Sequence, residues 1–385
     1  MNASNQVITS KTVLGILGSG QLARMTALAA AELGFSTHIY CNSNEESPAQ
    51  KVSHFTGKGS FEDISKILEF CETCDVVTLE NEFIDQNVLE AIEAKYPDKL
   101  FPSAKTFSLI GDKLSEKNAF TQAGIKVAPY ARVKSQEDIL RFAQAHEFPI
   151  VLKSAKGGYD GYGNVTIRTL SEVPEALTKL RGELLVEAYI PYEKELATLV
   201  ARNRNGEMAV YPIAHTHQEN HICHYVCVPA EISPKIEKEI LESAQKAMIA
   251  IDAIGIFAFE FFLTKEGDLY LNESAPRPHN SGHYSIEGCI TSQFQNHVRS
   301  VFNLPLGKTH LRAPMVCMLN LLGTQNGTAE LSNVKDFLQI PDGHLHLYGK
   351  TQSKVGRKMG HFTLLGENQN AMMRVLEKLK KDYRL

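Results

Sequence analysis

Two glutamates flanking a short loop are the residues with the clearest chemical meaning. The segment from Ile256 to Glu273 reads as a hairpin, with Ile256, Ala258, Phe262, Leu269 and Leu271 as core and Lys265-Glu266-Gly267-Asp268 as the turn. If Thr264 faces Leu269, counting back along both strands sets Glu260 opposite Glu273. Side chains so opposed lie about 4.5–5.5 Å apart at Cβ, and like charges there repel. Two carboxylates tolerate this when a cation lies between them or when they share a proton. Oxygen-only donors favour Mg²⁺, with Mn²⁺ as the substitute. Asn272, beside Glu273, would add an oxygen or fix the geometry. A register slip is the alternative reading, since one residue moves every side chain to the other face.

Further constellations could handle anions. The stretch Gly157-Gly158-Tyr159-Asp160-Gly161-Tyr162-Gly163 carries four glycines in seven residues, between strands Ile150–Lys153 and Val165–Ile167. Amides of such a loop approach phosphates closely, and Lys153 can supply a point charge to the same group. No Gly-Lys-Ser/Thr follows, so it is not a Walker motif. Alone, the loop is equally a plain hairpin. Arg277-Pro278-His279-Asn280-Ser281-Gly282-His283 sets a guanidinium, two imidazoles, an amide and a hydroxyl in one irregular segment. Lys350, Lys354, Arg357 and Lys358 form a basic cluster, either a solvated face or a phosphate grip. Gly18-Ser19-Gly20-Gln21-Leu22-Ala23 fits a glycine turn between strand and helix. A nicotinamide site wants an acid about 20 residues on. Tyr40-Cys41-Asn42 offers none, which leaves an anion other than NAD, or a bare turn. His215, His217, His221 and His224 with Cys223 and Cys227, in what reads as an exposed strand and loop, lack structural-zinc spacing, as does Cys71-Glu72-Thr73-Cys74.

Those residues must be positioned by a chain of 385 residues, long enough for two or three domains. Forty basic against 44 acidic residues give a net charge of −4, which argues against a nucleic-acid partner. With 43% hydrophobic and 22% charged residues the composition is that of a globular protein. No apolar run approaches the ~18 residues of a membrane span, and residues 1–10 lack an apolar signal core. A cytoplasmic protein without disulfides is expected. From Val13 to Lys95 strands alternate with helices, which predicts a parallel, doubly wound sheet over residues 1–110. Residues 111–304 read as α+β, with a helix over 114–123, a hairpin around the glycine loop, strands to Tyr211, a helix over 235–251 and the acidic hairpin. Residues 305–385 read as a small mixed α/β tail ending in a helix over 371–381.

The order of these elements, a glycine loop preceded by Lys153, then Glu260, Asn272-Glu273 and Arg277, resembles the ATP-grasp ligases. The strings Gly18 to Leu22, Gly157 to Gly161, Asn272 to His283 and Gly356-Arg357-Lys358-Met359-Gly360-His361 are similar to those of the N5-carboxyaminoimidazole ribonucleotide synthases, from about Val13 to Leu365. The resemblance implies three parts: a doubly wound domain, a two-lobed ATP-grasp domain whose glycine-loop lobe spans about 120–185, and a small C-terminal domain. It implies joining bicarbonate to the amine of 5-aminoimidazole ribonucleotide (AIR), with ATP split to ADP and phosphate, and a homodimer.

By the same resemblance Glu260 and Glu273 hold Mg²⁺. Lys153, the amides from Gly158 to Gly163 and Asn164 cover the phosphates. Lys113, Glu187, Ala188, Tyr189 and Ile190 contact the nucleotide, with Ile190 on adenine, Glu195 on the ribose and His217 nearby. Arg277 binds bicarbonate or carboxyphosphate. Tyr159 and Asp160 meet the aminoimidazole. Lys350, Arg357 and Lys358 grip the ribonucleotide phosphate with the amides near Gly20, Gln21 and Leu22, and Glu80 or Glu82 takes the ribose. Domains one and three must then meet. Departures are Tyr162 at a usually basic position, Asn164 for Gln, Lys113 for Arg, and Thr78-Leu79-Glu80-Asn81-Glu82 for Thr-Tyr-Glu-Phe-Glu. The rivals are a formate-using glycinamide ribonucleotide transformylase, a nicotinamide-dependent oxidoreductase, and a ribonucleotide-binding relic without turnover.

Overall fold

The computed structural model describes residues 8–42, 47–157, 163–219 and 222–385. The first segment alternates strand and helix. β1 (Val13–Leu17) runs through the glycine turn into α1 (Gln21–Glu32), followed by β2 (Ser36–Cys41), β3 (Phe55–Lys58), α2 (Ile64–Glu72), β4 (Val76–Leu79) and α3 (Gln86–Lys95). The strands pair in parallel in the order β3-β2-β1-β4. β1 and β4 are apolar runs because both sheet faces are covered. α1 packs with Leu14 and Ile16 on one side, while α2 and α3 pack with Leu17, Val77 and Leu79 on the other. α1 stops where Gly34 takes φ +75°. This is the expected doubly wound sheet. β3 escapes sequence reading because Phe55-Thr56-Gly57-Lys58 is a part-exposed edge without alternation.

Next come α4 (Ala104–Ile110), α5 (Lys113–Gln122), β5 (Tyr130–Val133), α6 (Gln136–His146), β6 (Ile150–Ser154), β7 (Asn164–Ile167), α7 (Val173–Lys179) and β8 (Leu184–Ala188). Asp112 caps α5 by accepting from the amides of Leu114 and Ser115 at 3.0 and 2.9 Å. The four strands form a small antiparallel sheet, β5-β8-β6-β7. α6 and α7 cover it through Ile139, Phe142 and Val173.

The remaining elements are β9 (Tyr192–Arg202), β10 (Met208–Val210), β11 (Ala214–Glu219), β12 (Ile222–Val228), α8 (Pro234–Ala250), β13 (Gly255–Thr264), β14 (Leu269–Ala275), α9 (Ser285–Gly288), α10 (Gln293–Val301), β15 (Met315–Leu322), β16 (Gly327–Thr328), α11 (Val334–Leu338), β17 (Gly343–Leu347), β18 (Gln352–Ser353), β19 (Lys358–Gly366) and α12 (Gln369–Asp382). One nine-stranded sheet runs β14-β13-β9-β11-β12-β15-β19-β17, with β10 on β9. β12 pairs β15, so strands from both sides of residue 305 share it. α8 buries one face against Phe257, Phe259 and Phe261. The segment from His215 is an interior part of this sheet, not the exposed strand and loop expected. Its alternation is hidden by polar side chains that the sheet itself partners. Among the described residues no helix is long and apolar enough to cross a membrane.

The register of the β13–β14 hairpin decides the site. Glu260 does pair with Glu273, but not by the route the turn implied. At the turn Leu263, not Thr264, faces Leu269, and the pairing runs to Phe261–Leu271 one step out of the expected count. A bulge then leaves Asn272 unpaired and returns Glu260 opposite Glu273. Without it Asn272 would face Glu260, and Glu273 would join Phe259 on the face buried under α8. The bulge re-aims the second carboxylate, a device common beside active sites.

Candidate active site

Glu260 and Glu273 thus lie on the sheet face opposite α8. Their side chains are 15% and 46% exposed, so both are reachable. Lys113 Nζ sits 3.2 Å from Glu273 Oε2. That ammonium, against the opposing effect of burial, holds the Glu273 carboxyl below its usual range. His279 Nε2 lies 3.7 Å from Glu260 Oε1. Burial first, then Arg277 and Lys358, pushes the imidazole well down, so it is neutral at physiological pH. Two ionisable oxygen donors on one face, reachable from outside, fit a hard divalent ion that takes one or two carboxylates and completes its shell with phosphates and water. Among the described residues no group of three or more His, Cys, Asp or Glu could hold a metal by itself.

Helix α5 joins the two sheets here. Lys113, Glu116 and Lys117 share one helical face. Lys113 reaches Glu273 on β14, and Glu116 accepts from the amide and hydroxyl of Ser274 at 3.0 and 2.6 Å. Lys117 Nζ lies 3.2 Å from Glu187 Oε1, and Lys153 Nζ 2.9 Å from Glu187 Oε2. Burial pushes the Lys153 ammonium down while Glu187 pulls it up. The β6–β7 hairpin is present, with Lys153 opposite Asn164 and the Ser154 amide donating to the Gly163 carbonyl at 2.9 Å. Gly158, Tyr159, Asp160, Gly161 and Tyr162, assigned to phosphate and aminoimidazole, lie outside the described residues, as does His221.

In the adenine strip the side chain of Glu187 is already engaged. Its carboxylate belongs to the two lysines, so only its backbone remains for a nucleotide. The Ala188 amide donates to the Pro129 carbonyl at 2.9 Å. Tyr189 is 43% exposed, and Ile190 is half-buried. Glu195 is oriented by Thr216 Oγ1 at 3.1 Å and Gln218 Nε2 at 2.7 Å. Because those two residues of β11 point to Glu195, alternation puts His217 on the opposite face. His217 therefore lies on the face away from Glu195, the residue expected on the ribose. Its ring lies 4.0 Å from that of His215, and burial pushes it down. Gln218, one residue on, occupies the face expected for it.

The substrate side departs more. The Glu80 carboxylate accepts from the amides of Gly20 at 2.6 Å and Leu22 at 3.1 Å. A Cβ on Gly18 or Gly20 would come within 2.5 or 2.4 Å of Glu80 atoms. The glycines make room for a carboxylate of the same chain, so the amides of Gly20 and Leu22 are not offered to a phosphate, and Glu80 is not offered to a ribose. The turn therefore also fails as a nicotinamide fingerprint. Glu82 forks onto Arg277, with Nε–Oε2 at 2.6 Å and Nη2–Oε1 at 2.8 Å. The Arg277 fork expected for bicarbonate, and the Glu82 carboxylate expected for ribose, thus hold each other. Lys350 Nζ donates to the Lys358 carbonyl at 2.7 Å and Arg357 Nη1 to the Gln352 carbonyl at 2.6 Å. The C-terminal strands do meet the first domain: Lys51 Nζ donates to the Gly349 carbonyl at 2.6 Å, and Tyr348 packs in the apolar cluster of β1 and α1.

Three family models match in sequence: a ribonucleotide synthetase preATP-grasp domain over residues 11–111, an ATP-grasp domain over 118–294, and a phosphoribosylaminoimidazole carboxylase C-terminal domain over 316–374. The N5-carboxyaminoimidazole ribonucleotide synthase of Bacillus subtilis is 35% identical over 369 residues, 95% of each chain. That of Synechococcus elongatus is 38% identical over 356 residues, 91% of this chain and 89% of its own. The chain belongs to the N5-carboxyaminoimidazole ribonucleotide synthase family. The synthetase structure from Thermotoga maritima superposes with TM-score 0.88 at 36% identity, covering 97% and 99% of the two chains. A synthase from Aspergillus clavatus, in complex with ADP and 5-aminoimidazole ribonucleotide, gives 0.87 at 31%, also covering 97% and 99%. The longer phosphoribosylaminoimidazole carboxylase of Ogataea methanolica, 40% identical, is spanned over 67% of its length. Membership sets aside the formate-using and nicotinamide-dependent readings and makes the chain an ATP-grasp carbon–nitrogen ligase.

Sequence reading of this synthase-family site missed Lys117, Glu116 and Gln218. For Lys117 a signal existed: with Lys113 and Glu116 it falls at i, i+3 and i+4, although the helix predicted over 114–123 starts one residue after Lys113. Nothing local marks the commitment of Glu80 to Gly20, since 60 residues separate them. The Cys71–Cys74 pair is buried among Phe70 and Ile67, and burial pushes the thiols to about 12 and about 11, which makes them inert.

Proposed function

We propose that this protein couples cleavage of ATP to carboxylation of the AIR amine by bicarbonate, through carboxyphosphate, giving N5-carboxyaminoimidazole ribonucleotide, ADP and phosphate. Bicarbonate is a poor electrophile because its leaving group would be hydroxide. Phosphorylation supplies a good leaving group, and phosphoryl transfer asks for positioning and charge neutralisation rather than covalent help. The observation that carries the reading is the opposed pair Glu260–Glu273, with Lys113 keeping Glu273 ionised.

In this reading the pair holds Mg²⁺, which when bound offsets charge on the phosphates. Lys153 and Lys113 face the polyphosphate. The Gly158–Gly163 loop covers it, and Asn272, Asn164 and the backbone of 187–190 complete the nucleotide contacts, with Glu195 on its ribose. Arg277, held in orientation by Glu82, presents its guanidinium to the bicarbonate or carboxyphosphate oxygens. Tyr159 and Asp160 orient the aminoimidazole, and Lys350, Arg357 and Lys358 hold the ribonucleotide phosphate without the glycine-turn amides. His279 accepts from the Ser281 amide at Nδ1, so its Nε2–H, near Glu260, is left to donate a hydrogen bond to the reacting groups. A homodimer working in the cytoplasm is part of the proposal, on family resemblance alone. The test is ADP release with AIR and bicarbonate omitted in turn. Release needing both supports the reading, while release indifferent to AIR, or supported by formate, rejects it.

A further inference from the structure

We propose that Lys117 is a positioning residue whose buried ammonium is the counter-charge to Glu187, leaving Lys153 with net positive charge for the nucleotide polyphosphate. The inference rests on the reading that Lys153 meets that polyphosphate. Glu187 gives one oxygen to each lysine: Oε1 lies 3.2 Å from Lys117 Nζ and Oε2 lies 2.9 Å from Lys153 Nζ. The Lys117 side chain is 2% exposed. Neither Lys117 Nζ nor Glu187 Oε1 has a hydrogen-bond partner among the described residues, although both are buried. The contact is therefore one of charge and not a directed bond that fixes a rotamer.

A stability role explains this arrangement poorly. A buried ion pair offsets its desolvation only when geometry is good and the remaining protons are satisfied. Lys117 meets neither condition. What it does alter is the charge sum. Lys153 with Glu187 alone would present no net charge to a phosphate. Adding Lys117 leaves the triad one net positive charge. Lys153, 11% exposed, is the end of the triad next to the glycine loop. Helix α5 makes the placement possible, because the turn that sends Lys113 to Glu273 sends Lys117 to Glu187.

Calorimetric ADP binding to the full chain with Mg²⁺ tests this on K117M, E187Q, K117M/E187Q and K153M. K117M should weaken ADP by about tenfold or more, and raise KM for ATP more than it lowers kcat. Adding E187Q should bring affinity back to within about twofold of the parent, since the offending charge is then gone. E187Q alone should bind ADP as tightly as the parent or more so. ADP binding by K117M within about twofold of the parent overturns the proposal, as does a double variant no tighter than K117M. If K117M does not fold, a folded double variant more than about tenfold weaker than the parent also overturns it. K153M separates the two readings: unchanged ADP binding there rejects the role of Lys153 itself.

Discussion

Two glutamates of this molecule are held in opposite ways. Glu273 on β14 faces a second carboxylate across the hairpin, and a nearby ammonium keeps it ionised. Glu80 after β4 faces two backbone amides at the start of α1, and burial pushes its carboxyl up against their pull. The first is a carboxylate kept charged and reachable, the arrangement a cation needs. The second is a carboxylate used as a structural anion, filling a helix N-terminus that otherwise attracts phosphate. Glycines around a helix start show that something comes close to the backbone. They do not show whether it is a ligand or a side chain from elsewhere in the chain.

The largest expected effect falls on the first glutamate. Glu273→Gln removes one of two charged oxygen donors, and several kcal/mol of charge stabilisation go with it, so kcat should fall by roughly 10³-fold. Circular dichroism and ADP-release kinetics check this together. A folded variant with kcat within about tenfold of the parent would remove Glu273 from the metal. Next is Glu82, which belongs to neither class, because its partner Arg277 is itself an expected site residue. Glu82→Ala leaves that guanidinium half-buried without its fork. Turnover should drop by about 10–100-fold with a raised KM for bicarbonate, and Glu82→Gln, which keeps one hydrogen bond, should recover part. A lowered KM in Glu82→Ala would make Glu82 a competitor of bicarbonate, not its organiser.

How far such contrasts can be read before coordinates exist depends on the range of the interaction. Strand and helix order in the first domain follows from local apolar runs. The Glu260–Glu273 pair was legible because strand pairing is nearly a counting rule. Yet the count held only because the bulge at Asn272 offsets a one-step shift of register at the turn, and no local feature announces either. His217 lies one step of alternation away from the face of Glu195, while Gln218 beside it points to Glu195. Lys117 was legible in principle from helical spacing. Glu80 on the Gly20 amide and Glu82 on Arg277 were not, because those partners are chosen by packing across 60 and 195 residues.

The smallest effect separates the two glutamates by sign. Glu273 has its carboxyl held below the ordinary glutamate value, about 4.3, and Glu80 has its carboxyl pushed above it. For Glu273 the folded state binds the proton less tightly than the unfolded chain. It therefore contributes stability that is present above the ordinary value and lost as pH falls through the lowered one. For Glu80 the folded state binds the proton more tightly. Its contribution is present at low pH and declines as pH rises from the ordinary value through the raised one. Glutamine titrates in neither state, so each substitution removes one slope. Urea unfolding without Mg²⁺, from about pH 3 to about pH 7, should show the parent gaining on Glu273→Gln as pH rises and losing ground to Glu80→Gln over the same interval. Slopes of the same sign would mean that the helix amides lower the Glu80 carboxyl more than burial raises it, and the contrast between the two sites would then lie in their partners alone.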